Sequence, residues 1–320
     1  MMHIVNKDTC RYCMDCGGCD YVGIPYPSTL EIKLNNINGL FTNSAAKPDD
    51  LETMEMVPSP MPFGYRGRCQ LHVSKGKVGF HKKRSHDLIE IEKCLMFDER
   101  LNKKIKELKF PPNFDAKIEL YIKDGTVCDR LVEKKYDNLF YQVNDGVNKL
   151  IINKVVTLCE PSPDDSVLEL YCGLGNFTFA VLNKSPKTKI TGIDMRAPVS
   201  KKDNPEFIEA DIIRGLETLR SRGMLLNFNK LILDPPRSGG GKKVLDMMDK
   251  CRFERIVYVS CNPETLIEDA QVLCAQGYKW QSMKLFDMFP FTKYVEAVSL
   301  FTISADFSYP FSSLHSNDST

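Results

Sequence analysis

From about residue 140 the chain alternates regularly between short apolar strands and intervening helical or loop segments. The strand segments are "SVLELYC", "KITGID", "EFIEAD", "KLILDPP" and "RIVYVSC". The β–α alternation supplies the crossovers that parallel pairing needs and argues for a sheet covered on both faces. The pattern predicts a doubly wound, Rossmann-like α/β domain over residues 140–305. Two further strands, around "KWQSMKLFDM" and "VEAVSLFTI", have no helix between them and are expected to close the sheet as an antiparallel hairpin.

The preceding part has a different texture. Residues 1–20 hold a dense cysteine cluster, and residues 21–139 read as an irregular, strand-rich α+β unit. In "RCQLHVSKGKVGFH", Cys69, Leu71 and Val73 fall on one face, the chain turns near Lys75-Gly76, and it returns through Val78 and Phe80. Leu101, Ile105 and Leu108 have helical spacing, and "KIELYIKDGTV" is a strand meeting an Asp-Gly turn. Residues 43–62 are expected to form a long loop, and the polar residues 306–320 a disordered tail.

The candidate chemistry lies at the carboxyl ends of the predicted strands, where doubly wound folds bind ligands. "VLELYCGLGNFTFAV" is a strand, a glycine turn through Gly173 and Gly175, and a helix. Asp194 ends the next strand, about twenty residues on, where an acid can accept bonds from ribose hydroxyls. These elements leave open whether the ligand is a dinucleotide or S-adenosylmethionine. "LILDPPRSGGG" puts Asp234 near the same pocket. Its fourth motif position is Arg237, where amino-group methyltransferases have an aromatic residue, which speaks against an exocyclic amine as target.

In "YVSCNPETL" the strand stops at Cys261 because Asn262-Pro263 cannot continue it. A core cysteine has no reason to share an edge with Gly173, Asp194 and Asp234, so Cys261 reads as a nucleophile. Carbon 5 of uracil is too electron-poor to attack a methyl sulfonium unaided, and thiolate addition at carbon 6 makes an enolate that can. A free thiol, with a pKa of about 8.5, is mostly protonated at neutral pH and needs help from the site. The adduct must then lose its carbon-5 proton. Glu296, at the start of the last strand after a proline-bearing loop, is the candidate general base.

The N-terminal "CRYCMDCGGC" places Cys10, Cys13, Cys16 and Cys19 at metal-ligand spacing, compatible with zinc or an iron–sulfur cluster. With no signal peptide or membrane-spanning run at hand, the expectation is a cytoplasmic protein whose twelve cysteines stay reduced. Net charge is only +1, but between Tyr65 and Lys109 thirteen Lys or Arg face six Asp or Glu. Such a patch suits backbone phosphates, with Arg66, Arg68, Lys82, Lys83 and Arg84 as contacts.

With these residues in hand, the sequence resembles the RNA (uracil-5)-methyltransferases that use S-adenosylmethionine, especially bacterial 23S rRNA members carrying an iron–sulfur cluster. The resemblance runs from Cys10 to about Phe301, through "GYRGRCQLHV", "FYQVNDGVN", "ELYCGLGNFT", "LDPPRSG", "YVSCNPETL" and "FDMFPFTKYVE". It implies the methyltransferase variant of the doubly wound fold. It also implies a [4Fe-4S] cluster on Cys10, Cys16, Cys19 and the distant Cys94, with Cys13 no ligand. Cofactor contacts fall on Gln142, Tyr171, Asn176, Asp194, Asp211 and Asp234, with Cys261 as nucleophile and Glu296 as base. Four departures stand out, one of them a short segment between Met195 and Phe207 that is expected to reduce a helix to a loop. The N-terminal β-barrel of some members is missing, Asp194 replaces a glutamate, and Tyr294 stands where histidine is common.

The implied reaction is methylation of a specific uridine, in 23S rRNA by preference, by a monomer with no membrane contact. The alternatives are tRNA T-loop methylation, an inactive cluster-bearing RNA-binding protein, and a cytosine C5-methyltransferase. The last usually carries a second cysteine where this chain reads "DPPR".

Overall fold

The structure, a computed structural model, describes residues 3–132, 142–198 and 204–304. The expected boundary near residue 139 and the expected tail at 306–320 lie outside the described residues. In chain order the elements begin with helix α1 (Tyr26–Leu40) and the two-residue strand β1 (Met56–Val57). The strands β2 (Arg68–Ser74), β3 (Lys77–His81), β4 (Leu88–Glu90), β5 (Ala116–Lys123) and β6 (Thr126–Leu131) form an antiparallel sheet in the order β4-β3-β2-β5-β6. Helix α2 (Glu99–Glu107) buries Leu101 and Ile105 in the core of this sheet, as their spacing predicts. Both hairpin turns follow from sequence: Lys75-Gly76 and Asp124-Gly125 each have two consecutive residues at positive φ.

The second unit opens with α3 (Asp145–Cys159) and continues through β7 (Ser166–Leu170), α4 (Asn176–Lys184), β8 (Lys189–Asp194) and β9 (Glu206–Glu209). It is completed by α5 (Ile212–Ser221), β10 (Lys230–Leu233), α6 (Lys242–Met248), β11 (Arg255–Ser260), α7 (Pro263–Ala275), β12 (Tyr278–Phe286) and β13 (Glu296–Ile303). The sheet order is β1-β12-β13-β11-β10-β7-β8-β9, with β11, β10, β7, β8 and β9 parallel and β13 antiparallel to both its neighbours. Alternation along each strand feeds two cores. In β7, Val167 faces the core shared with α3 and α4, and Leu168 and Leu170 face the one shared with α5, α6 and α7. The chain leaves β7 outward to β8 and β9, then returns to its other side for β10. That reversal opens a crevice at the carboxyl ends of β7 and β10.

Two expectations need correction. The segment 21–139 is not wholly irregular and strand-rich, since it contains the fifteen-residue α1. The helix was hard to read because its buried stripe runs Tyr26, Thr29, Lys33 and Ile37, with a hydroxyl and a lysine among the inward positions. Nor is the long loop at 43–62 free of regular structure, because it holds a short 3₁₀ turn (Leu51–Thr53) and β1, which pairs in parallel with β12. Ile37, Phe41 and Met54 thus belong to the core of the large sheet.

Candidate active site

The turn after β7 is built from unusual backbone. Tyr171, Gly173 and Gly175 all have positive φ (63°, 53° and 88°), and the strain at the non-glycine Tyr171 marks a backbone bent for a purpose. Gly175 is the N-cap of α4 and no side chain caps the helix, so its first-turn N–H groups have no side-chain acceptor; the Phe179 ring packs so close to Gly175 that a Cβ there would clash. Asp194 is held beside the turn, where its Oδ2 accepts from Gly173 N–H at 3.1 Å and its Oδ1 from Arg196 N–H at 2.8 Å. Asn176 exchanges amide hydrogen bonds with Asn148 of α3. Asp211 also lies past a strand end, but its carboxylate caps α5 by accepting from Arg214 N–H and pairs with the Arg214 side chain. Gln142 is half-buried and lies two residues before Asn144, the N-cap of α3.

One residue here escaped the sequence reading. Glu169, in the middle of β7, is fully buried; its Oε2 accepts from Thr178 Oγ1, and its Oε1 has no partner. Burial, with Asp234 and Asp194 nearby, pushes its carboxyl up to about 8. The signal was a charge inside an otherwise aliphatic parallel strand, which a purely structural strand has no use for.

The other half of the site is set by strand register. Ser260 of β11 pairs with Ala297 of β13, which carries the next residues, Cys261 and Glu296, to the same end of adjacent strands. Asn262 caps α7 by accepting from Glu264 N–H, with Pro263 in the first turn, so Cys261 sits just ahead of a helix N-terminus that favours a thiolate. Asn262 Nδ2 and Thr265 Oγ1 both donate to the Arg237 carbonyl, tying the loop after β10 to this turn. Asp269 secures the rest of that loop by accepting from the N–H groups of Gly240 and Gly241.

The groups at this edge influence one another electrostatically. Burial, then Glu296 and Asp234, push the Cys261 thiol up to about 11, opposed by the Arg237 guanidinium. Glu296 is buried and raised to about 8 by burial and Asp234, again opposed by Arg237. Asp234 is raised to about 7 by burial and Asp194. Arg237 also lies 4.6 Å above the ring of Tyr294, which is 38% exposed at the mouth of the site. The sequence reading took Arg237 only as a missing aromatic, whereas the structure makes it the cation that favours both ionised groups.

These carboxyls are short of positive charge, which the sulfonium and ammonium of S-adenosylmethionine would provide. A cation beside Asp234 and Glu169 favours their ionised forms, so binding should release protons and tighten as pH rises from 6 to 8. Each unit by which a carboxyl is lowered is worth about tenfold in affinity at the upper end. Calorimetry in buffers of different ionisation heat should show net proton release, and buffer-independent heats would remove this account.

The cysteines of the arm and Cys94 lie within electrostatic reach of one another. Cys19 is raised by burial and then by Cys94, Cys16 and Cys10, and Cys94 is raised to about 11 by burial, Cys16 and Cys10. Cys16 pairs with Lys82 in an isolated bridge, and Asn102 accepts from Cys94 N–H at 2.9 Å. Cys13 is buried in the small core. Among the described residues no three His, Cys, Asp or Glu side chains converge as one metal ion requires. Of the expected phosphate contacts, Lys82, Lys83 and Arg84 are exposed, but Arg68 is committed with Arg130 to the buried Glu119, and Arg66 lies beside Cys94 and Cys69.

Comparison with known proteins places the chain among RNA methyltransferases. The family model described as tRNA (Uracil-5-)-methyltransferase matches residues 117–220 and 216–303. A 23S rRNA (uracil(1939)-C(5))-methyltransferase RlmD of Haemophilus influenzae is 28% identical, over 92% of this chain and 81% of its own. An uncharacterized RNA methyltransferase of Thermotoga maritima is 26% identical, over 92% and 84%. The crystal structure of Pyrococcus abyssi tRNA (uracil-54, C5)-methyltransferase in complex with S-adenosyl-L-homocysteine shares the fold. It has a TM-score of 0.62 at 21% identity, covering 87% of this chain and 83% of that one. With the doubly wound fold in place and the family model matched over more than half of its length, the chain belongs to the tRNA (uracil-5-)-methyltransferase family.

Proposed function

We propose that the protein methylates carbon 5 of a uridine in RNA, using S-adenosylmethionine and a covalent adduct between Cys261 and carbon 6. The observation that carries this reading is the register that sets Cys261 beside Glu296, with Asp234 and Arg237 around them. S-adenosylmethionine supplies an electrophilic methyl group on sulfur. The cofactor side of the crevice fits it: a helix N-terminus with no side-chain cap, Asp194 for ribose hydroxyls, and acids placed for its positive charges.

Burial and the neighbouring acids hold the resting Cys261 thiol up at about 11, and Arg237 and the start of α7 work against them; once ionised, the thiolate adds to carbon 6 and turns carbon 5 into an enolate carbon. After methyl transfer Glu296 takes the carbon-5 proton, the C6–S bond breaks, and the thiolate leaves. A carboxyl raised to about 8 is near the working pH, where a general base is most effective. The uridine must leave its stack to reach Cys261, which favours loops over paired RNA. Tyr294, exposed beside Arg237, offers a ring at the mouth of the site for the flipped base or its neighbour.

We also infer a [4Fe-4S] cluster on Cys10, Cys16, Cys19 and Cys94. Four mutually close thiols fit this group, whose iron charge would offset their repulsion, and thiolates at the corners of a cube stand farther apart than those around one ion. The exposed Lys82-Lys83-Arg84 turn gives RNA phosphates a docking point. No helix among the described residues is long and apolar enough to cross a membrane, and we place the enzyme in the cytoplasm. We favour 23S rRNA, because the relative of that name aligns over most of both chains. Nucleoside mass spectrometry of a deletion strain, with mapping of the lost 5-methyluridine, tests the whole reading. Loss from tRNA would transfer the assignment to the T-loop, loss of 5-methylcytidine would replace the reaction, and no loss would leave an inactive RNA-binding protein.

A further inference from the structure

The segment 287–295, which delivers Glu296, is fastened to the far end of the chain. Lys33, on α1, has a fully buried side chain whose ammonium donates to three acceptors of this one segment: Asp287 Oδ1, the Phe289 carbonyl at 3.0 Å and the Tyr294 carbonyl at 2.8 Å. Tyr26, two turns earlier on α1, donates to Asp287 Oδ2 at 2.8 Å. Phe291 has left-handed backbone (φ 62°) and buries its ring in the core of the small sheet, against Tyr26 and Phe63. Its carbonyl accepts from the N–H groups of Asp20 and Tyr21, and Asp20 Oδ2 accepts from Lys293 N–H at 3.0 Å.

Neutralising Asp287 would need one contact from Lys33. Three contacts, two of them to carbonyls near opposite ends of the segment, do something further. They fix its span. A buried ion pair is poor value for stability alone, because apolar residues of similar volume often do as well. The bridge ends at Tyr294, two residues before Glu296, and it imposes the path on which that carboxylate arrives.

We propose that Lys33 is a positioning residue for the general base, stapling the segment 287–295 so that Glu296 reaches carbon 5 of the adduct. Asp20, immediately after Cys19, holds the same segment from outside. The proposal rests on the base role given to Glu296 above. It separates two steps: thiolate addition and methyl transfer depend on Cys261 and the crevice, and proton removal depends on where Glu296 lies.

The experiment compares Lys33→Met, the double variant Lys33→Met with Asp287→Asn, and Asp20→Ala, all in the full-length enzyme. Active sites are counted by S-adenosylmethionine titration. The double variant removes the unpaired buried charge, so a purely structural role predicts that it recovers turnover together with melting temperature. The positioning role predicts that it recovers stability while turnover per site stays about tenfold to a hundredfold down. In that case methylated RNA accumulates joined to the enzyme, seen as a shifted band on a denaturing gel, and single-turnover methyl transfer changes little. Wild-type turnover per site with no trapped band overturns the proposal. If the Lys33 variants do not fold, the exposed Asp20→Ala decides it: slower loss of the adduct supports the staple, and a wild-type rate overturns it. Glu296→Gln is run alongside. If that variant traps no adduct, the general-base reading itself fails, whatever Lys33 does.

Discussion

A Cys261→Ala enzyme is expected to form no covalent RNA complex and to make no 5-methyluridine, whereas Glu296→Gln should form the complex and fail to release it. The difference follows from the order of bond changes. Without the thiolate, carbon 5 never becomes nucleophilic, so nothing downstream can occur. Without the carboxylate, addition and methyl transfer still proceed, and the product stays joined through a thioether to carbon 6. General-base catalysis contributes about 10²- to 10⁴-fold, so Glu296→Gln turnover should fall by that much, equivalent to about 3–5 kcal/mol of barrier. The pH dependence has a definite sign. Glu296 is raised to about 8, chiefly by burial, and only its ionised form accepts the proton, so wild-type adduct decay should speed up as pH rises and level off above that value. A trapped band in Cys261→Ala, or near-normal turnover in Glu296→Gln, would remove the corresponding residue from the mechanism.

Anaerobically purified protein is expected to be brown and to contain about four irons per chain. Cys94→Ser should lose the colour and most of the iron, and Cys13→Ser should keep both. The structure gives reasons for the asymmetry. Cys94 comes from the small sheet's side, its backbone fixed by Asn102, and it shares electrostatic reach with Cys10, Cys16 and Cys19. Cys13, though in electrostatic reach of Cys10, is the more fully buried, in the apolar core with Val5, Tyr65 and Leu101. Because the same arm contacts the 287–295 segment through Asp20 and Tyr21, apoprotein should also melt at lower temperature, independent of any assay of methylation. One stoichiometric zinc in colourless protein would end the cluster assignment.

The sheet could be read from sequence because its information is local. Runs such as "KLILDPP" and "RIVYVSC" are continuously apolar, end in glycine, proline or asparagine, and sit at βα spacing, so each strand declares itself. The same locality placed Gly173, Asp194, Asp234 and Cys261 at strand ends, and a strand end is where a doubly wound sheet binds ligands. Sequence could not decide what depends on packing between distant segments. Helix α1 hid because Lys33 faces inward, and that makes sense only once Asp287 and two carbonyls, some 254 to 261 positions away, lie opposite it. Arg237 read as an absence until the fold set it between Cys261, Glu296 and Tyr294. Arg68 read as a phosphate contact until β5 brought Glu119 against it. Local patterning specifies where the backbone turns and which face is buried. The charge environment of a buried group is a sum over neighbours from the whole chain, and only the tertiary structure assembles it.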